Sequence, residues 1–203
     1  RYERMTELLD ANPKLTPQMA VDILRNREGL DDKVIGYGNE KALNQLLAHH
    51  GIVFKPEQGL VWISTNPYQM GEFLAYDMNK VFNKFKNKNP SEAIYESSLT
   101  IEKDSFIFTD AFKQYEIFRN LRRSILENIK NEKVIPDETL STFKNTNPNY
   151  WEVYYIVGEY YYNQKNYTAA IEAFNTALTK EITTVPDKEA IFKYLKKAKR
   201  KNK

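Results

Sequence analysis

Residues Trp151–Ala177, WEVYYIVGEYYYNQKNYTAAIEAFNTA, decide the character of the second half of the chain. Apolar and aromatic side chains recur at Trp151, Tyr154, Val157 and Tyr161, and again at Tyr167, Ala170, Phe174 and Ala177. Spacings of three and four mark one face of a helix. Gln164-Lys165-Asn166 is a polar turn between the two runs. Gly158 and Ala170 are small where two helices joined by so short a turn pack together, so their backbones can approach closely. The pattern predicts a helical hairpin over 149–180, with Tyr161, Tyr167 and Phe174 filling the wedge around the small residues.

Working outward, Asp187 is placed to cap a further helix from Lys188 to about Lys199, with Ile191, Phe192 and Leu195 inward. Upstream, Asn145 to Pro148 is a break, and Asp137 opens a short helix through Phe143. From about Asp104, Phe108, Phe112, Tyr115, Phe118, Ile125 and Ile129 follow helical spacing over several turns. The front half is mixed. Tyr2, Met5, Leu8 and Leu9 share a helical face that ends at Asn12-Pro13. Thr16-Pro17 starts a second helix, with Thr16 as its cap and Pro17 in the first turn. Glu28 to Gly38 is a loop, and residues 39–50 are expected to be helical, with Leu43, Leu46 and Leu47 inward. Ile52-Val53-Phe54 and Leu60-Val61-Trp62-Ile63 are branched and aromatic runs around Lys55–Gly59, a β-hairpin signature. Phe73, Ala75 and Asp77 can alternate as a strand, and Asn83 to Pro90 is a Lys/Asn loop. The expectation is an α+β chain.

The chain offers enough apolar surface for a packed core: 41% of residues are hydrophobic and 28% charged, a balance that excludes global disorder. No apolar run reaches the ~20 residues needed to cross a bilayer, so no membrane span is expected. There is no cysteine, which excludes disulfides, thiolate zinc sites and a cysteine nucleophile within these residues. His49 and His50 are the only histidines. Adjacent on a helix end, they would point about 100° apart and could not easily share a metal. One is expected to cap the helix C-terminus and the other to line a cleft beside the hairpin. No phosphate-binding loop, serine elbow or paired-carboxylate motif is present, and no cofactor or metal is implied. Lys193, Lys196, Lys197, Lys199, Arg200, Lys201 and Lys203 form an acid-free basic end in a chain of net charge +3. It reads either as a solvated end or as a contact with nucleic acid or anionic lipid. No nucleic-acid motif accompanies it, and no nucleic-acid partner is expected.

The hairpin resembles the tetratricopeptide repeat, whose period of about 34 residues carries Leu-Gly, Tyr, Ala, Phe and Ala at fixed offsets. Gly158, Tyr161, Tyr167, Ala170, Phe174 and Ala177 match in type and spacing. The closing Pro is displaced: Ile182 stands in its place and Pro186 follows later. One such unit cannot bury its own faces and needs neighbours. It reads either as a stabilising appendage or as a place for a protein partner at the helical tail.

A second resemblance spans residues 1–125. Arg1-Tyr2-x-Arg4-Met5, Leu15-Thr16-Pro17 with Ile23-Leu24-Arg25, and Ala48-His49-His50-x-Ile52-Val53-Phe54-Lys55-Pro56-Glu57 before Leu60-Val61-Trp62-Ile63-Ser64 carry it. These stretches are similar to the acyl-coenzyme A:6-aminopenicillanic-acid acyltransferase and choloylglycine hydrolase group of N-terminal-nucleophile hydrolases. The resemblance implies a four-layer αββα fold and cleavage of, or acyl transfer from, a linear amide. The nucleophile would be a Cys exposed by autocatalytic cleavage, with its own α-amino group as base. That Cys is then expected upstream, in a segment of the same precursor that would also carry any targeting signal. Arg1 matches an arginine lying near the nucleophile, where a guanidinium would lower the thiol pKa. The expected organisation is a hydrolase-like or acyltransferase-like part over 1–130 and a helical tail over 131–203. The rival reading is a non-catalytic interaction module of tetratricopeptide type.

Overall fold

The computed structural model describes residues 1–87 and 93–202. The chain combines helices with a small antiparallel sheet, as the α+β expectation requires. It divides into two compact units. The first holds Arg1–Asp32 and Lys41–Ile107, and the second Lys33–Glu40 and Phe108–Lys203.

In the first unit, α1 (Tyr2–Asp10) and α2 (Pro17–Leu24) precede strands β1 (Ile52–Lys55), β2 (Leu60–Ser64) and β3 (Phe73–Asp77). The Thr16 hydroxyl accepts from the Met19 amide and caps α2 with Pro17 in the first turn, as the sequence indicates. The strands run in the order β1-β2-β3, both pairs antiparallel. Pro56–Gln58 makes a single 3-10 turn between β1 and β2, and Gly59 closes it at φ +66°. After β3, α3 spans Met78–Asn87. The Asp77 carboxylate accepts from the Asn79 and Lys80 amides and starts that helix, which runs on to Asn87 where a loop was expected from Asn83. The last residues of the expected loop, 88–90, lie outside the described residues.

Residues 39–50 are not a helix. Ala42, Asn44 and Leu46 are buried at alternate positions, a period of two rather than 3.6. The Asn44 amide donates to the Asn26 carbonyl, its Nδ2 donates to the Tyr68 carbonyl, and its Oδ1 accepts from the Leu46 amide, where φ is +53°. These long-range bonds outweigh the leucine-rich local pattern. His49 and His50 consequently do not end a helix.

The second unit contains α4 (Asp110–Lys130), α5 (Asp137–Thr146), α6 (Trp151–Asn163), α7 (Tyr167–Leu178) and α8 (Val185–Lys201). A 3-10 turn at Ser105–Phe108 precedes α4, whose regular part starts only after the Thr109 cap. The core is aromatic: Phe118 stacks on Phe143 at 5.5 Å and meets Tyr150 edge-on at 5.9 Å. Segment 33–40 is a remote part of this unit. Tyr37 and Asn147 exchange two hydrogen bonds, amide to Oδ1 at 3.1 Å and Nδ2 to carbonyl at 2.8 Å. Asn39 Nδ2 donates to the Glu181 carbonyl. α8 is capped by reciprocal bonds between Thr184 and Asp187. Ile191, Leu195 and Ala198 are buried, whereas Phe192, expected inward, is half-exposed.

Two glycines should be intolerant to different degrees. A Cβ on Gly158 would lie 2.6 Å from the buried Phe174 ring. Overpacking of about 1–3 kcal/mol should offset the ~1 kcal/mol that Ala gains in a helix. At Gly36, φ is +85° and a Cβ would lie 2.5 Å from the Tyr150 backbone, which cannot swing aside. Urea unfolding should show Gly36→Ala as clearly the more destabilising, with Gly158→Ala neutral to mildly destabilising.

Candidate functional site

Beside α2, residues from two remote stretches line a cleft of ≈ 430 Å³, among them Asp22, Arg25, Arg27, Glu28, Glu102 and Asp104. Its guanidiniums are already engaged. Arg25, following α2, donates to the carbonyls of Gln69, Gly71 and Glu102 at 3.3, 2.8 and 2.8 Å. Burial lowers its pKa, and Asp104 and Asp22 oppose that shift. Arg27 pairs with Asp104 at 2.6 Å and lies over the Phe106 ring at 4.1 Å. The cleft is therefore an anchor that joins chain stretches about seventy-seven residues apart in sequence, with Arg27 already paired to the Asp104 carboxylate. In the sequence Arg25 carries part of the hydrolase resemblance, but nothing local to it names Asp104 or the three carbonyls as partners.

Arg1 is exposed just before α1. The buried arginine of that motif is Arg4, which pairs with Glu7 at 2.9 Å and with Asp32, and donates to Asn26 Oδ1 at 3.0 Å. Burial alone would lower the Arg4 pKa; the bonds to Glu7 and Asp32 outweigh it and the pKa rises. His49 and His50 are exposed in the irregular stretch before β1, their ring centroids 6.4 Å apart. Among the described residues no group of three or more His, Asp or Glu side chains is placed to hold a metal ion.

The sheet presents the more informative surface. Its alternation places Val53, Leu60, Trp62 and Ala75 on one face, against Val21 and Leu24 of α2. The other face carries Ile52, Phe54, Val61, Ile63, Leu74 and Tyr76. In register these form two cross-strand rows, Ile52-Ile63-Leu74 and Phe54-Val61-Tyr76. All six side chains are apolar or aromatic, yet Ile52, Phe54 and Ile63 remain 47%, 65% and 37% exposed. A sheet face that ends in water ordinarily alternates to polar residues. Contiguous exposed apolar rows mark a surface that something else covers.

In the second unit, Gly158, Ala170, Phe174 and Ala177 are buried between α6 and α7, and the Phe174 ring lies over Gly158. Tyr161 and Tyr167 are half-buried. The Tyr161 ring meets Tyr160 at 5.4 Å and its hydroxyl approaches Asp137, whereas Tyr167 meets Tyr162 at 5.7 Å. Arg122 donates to both carboxylate oxygens of Glu152, from Nε at 2.8 Å and Nη2 at 2.5 Å. No family model, no curated protein and no solved structure matches the chain.

Five tyrosines of this unit titrate late. Burial, then Glu159, pushes Tyr155 up to about 12. Tyr150, Tyr154, Tyr161 and Tyr194 are also raised, burial being the largest cause in each. The unfolded chain releases these protons near the ordinary value of 10.0 while the folded chain retains them. Stability should therefore fall as pH rises from 10 towards 12. Absorbance titration of phenolate should show a late-ionising subset in the native protein that joins the others in urea.

Proposed function

We propose that the first unit is the C-terminal part of an αββα linear-amide hydrolase or acyltransferase, its Cys nucleophile supplied by an upstream segment of the same precursor. The observation that carries this reading is the exposed apolar patch of Ile52, Phe54 and Ile63 on the outer face of the sheet, where Val61, Leu74 and Tyr76 are half-buried. A helix layer already lies on the opposite face through Val21 and Leu24. A second sheet laid on the Ile52 and Phe54 rows at about 10 Å would complete two inner layers. β1 is also an edge strand, open to further pairing in the same sheet.

In this reading the thiolate attacks the amide carbonyl carbon, and its own α-amino group takes the thiol proton. That proton passes to the leaving amine as the C–N bond breaks. The acyl thioester is then released to water by hydrolysis, or to a second amine by acyl transfer. Arg1 would stand beside the thiolate and lower its pKa. His49 and His50 would line the substrate cleft; their exposure leaves them accessible to it. The substrate is a small amide or acyl donor.

The helical pair α6–α7 is proposed as a tetratricopeptide-like hairpin. The approach of Phe174 to Gly158 supports this, because any side chain at Gly158 would displace that ring. A protein contact at the helical tail is the second role proposed for the pair.

Intact-mass measurement and N-terminal sequencing of the protein from its native source test the main reading. The expected result is a Cys-led polypeptide continuous with or bound to this chain, whose amide-cleaving activity is lost on thiol alkylation. A native protein starting near Arg1 with no Cys-led companion overturns it. Phe54→Asp in the native protein tests the covered face separately. Burying an unpaired carboxylate there should cost about 3 kcal/mol or more, whereas a solvated face would lose no more than about 0.5 kcal/mol.

A further inference from the structure

The outward side of α8 carries an unbalanced charge. Its inward side is fixed by Ile191, Leu195 and Ala198, all buried. At about 100° per residue, Lys193 and Arg200 then lie opposite that side, Lys196 and Lys197 flank them, and Lys188, Phe192 and Lys199 lie along one shoulder of the same outward arc. All seven are exposed. Lys197 leans over the Tyr194 ring at 5.7 Å, and Lys201 turns back over Tyr162 at 5.1 Å. Lys188, Lys193, Lys196, Lys199 and Arg200 enter no ion pair among the described residues. The acids of the helix are Asp187, spent on the cap, and Glu189. Two apolar side chains share this face, Phe192 at 49% exposure and Val185 at 70%, seven residues and two turns apart.

We propose that this face of α8 docks on an anionic lipid bilayer. Charge complementarity argues for the lipid: a row of lysines along a helix about 25 Å long matches a flat sheet of negative headgroups. Phe192 and Val185 fit the same surface, since apolar side chains between cations insert at headgroup depth. A nucleic acid would use these residues less well. The face holds one Arg, no Asn or Gln for base edges, and an exposed Val and Phe with no role against phosphates. The contact is peripheral, because no helix among the described residues is long and apolar enough to cross a membrane. It is independent of the proposed chemistry of the first unit.

Flotation of the full chain with vesicles of phosphatidylcholine alone, and of phosphatidylcholine mixed with phosphatidylglycerol, tests the proposal. The chain should float with the anionic vesicles only, and high salt should release it. Each basic residue at such a surface contributes about fivefold to partitioning, so Lys193→Glu/Lys196→Glu should lose about 25-fold or more. Both positions face outward, and circular dichroism checks that the helix survives. If it does not, Lys188→Glu/Lys199→Glu on the same face reads the same quantity. Phe192→Ser should weaken binding several-fold without changing its dependence on salt. No flotation, equal flotation with neutral vesicles, or unchanged binding by the folded charge variants overturns the proposal. Tighter capture by duplex DNA than by anionic vesicles, lost in the same variants, overturns it in favour of a nucleic-acid contact.

Discussion

A β-sheet with apolar side chains on both faces must be covered on both, and the first unit depends on that constraint. Burial of Val53, Leu60, Trp62, Phe73 and Ala75 against α2 gives the sheet its inner core. The Trp62 indole finds its partner in the Leu99 carbonyl at 2.8 Å, so the large ring is buried without stranding its N–H. Arg25 does for the surrounding loops what α2 does for the sheet. It satisfies carbonyls of Gln69, Gly71 and Glu102 that no strand or helix would reach. Everything about the inner face is thus resolved within the chain. On the outer face Ile52, Phe54 and Ile63 are left exposed, which the hydrophobic effect disfavours.

The second unit meets a different requirement. Its helices are rich in aromatic residues, and rings pack stably only when their polar tips find partners. Tyr160 shows how: its hydroxyl accepts from the Ile135 amide and donates to the Ile135 carbonyl, closing the chain entry to α5. The Trp151 indole donates to Thr183 at 2.8 Å, and the Tyr194 hydroxyl donates to Glu159 at 3.2 Å. Such bonds let bulky amphipathic rings fill a core without orphaned donors.

The sequence-to-structure relation follows the range of the deciding contacts. The strands at 52–55 and 60–64 are readable because branched runs and a Pro/Gly turn are local signals. The α6–α7 hairpin is readable because Gly158 and Phe174 recur at offsets that helix packing itself imposes. Residues 39–50 are not, because the side chain that shapes them, Asn44, takes its partners from Asn26 and Tyr68. The role of segment 33–40 is hidden for the same reason, since Tyr37 pairs with Asn147 across 110 positions. Of the candidate site residues, Gly158, Ala170, Phe174 and Ala177 are singled out by their match to tetratricopeptide offsets, and all four are buried. The outward rows of the sheet were present in the sequence as apolar runs, but only the strand register shows that they share one face.

The charge on α8 cannot be explained as a device for solubility alone. A solvated helix face gains from opposite charges three or four positions apart, and in α8 only Glu189 stands at that spacing from one of the lysines, Lys193, without an ion pair between them. Lys193 with Lys197 and Lys196 with Arg200 are like-charge pairs at the same spacing, and each opposes the helix. Lys199, Arg200 and Lys201 recover part of this from the helix dipole, because they sit in the last turn. Lys188, Lys193 and Lys196 lie too far from that end to share the gain. Replacing Lys196 by glutamate would serve solubility equally and relieve its repulsion with Arg200. Their common sign stabilises something only when a negative surface faces them, and that asymmetry is what distinguishes a docking face from a merely wetted one.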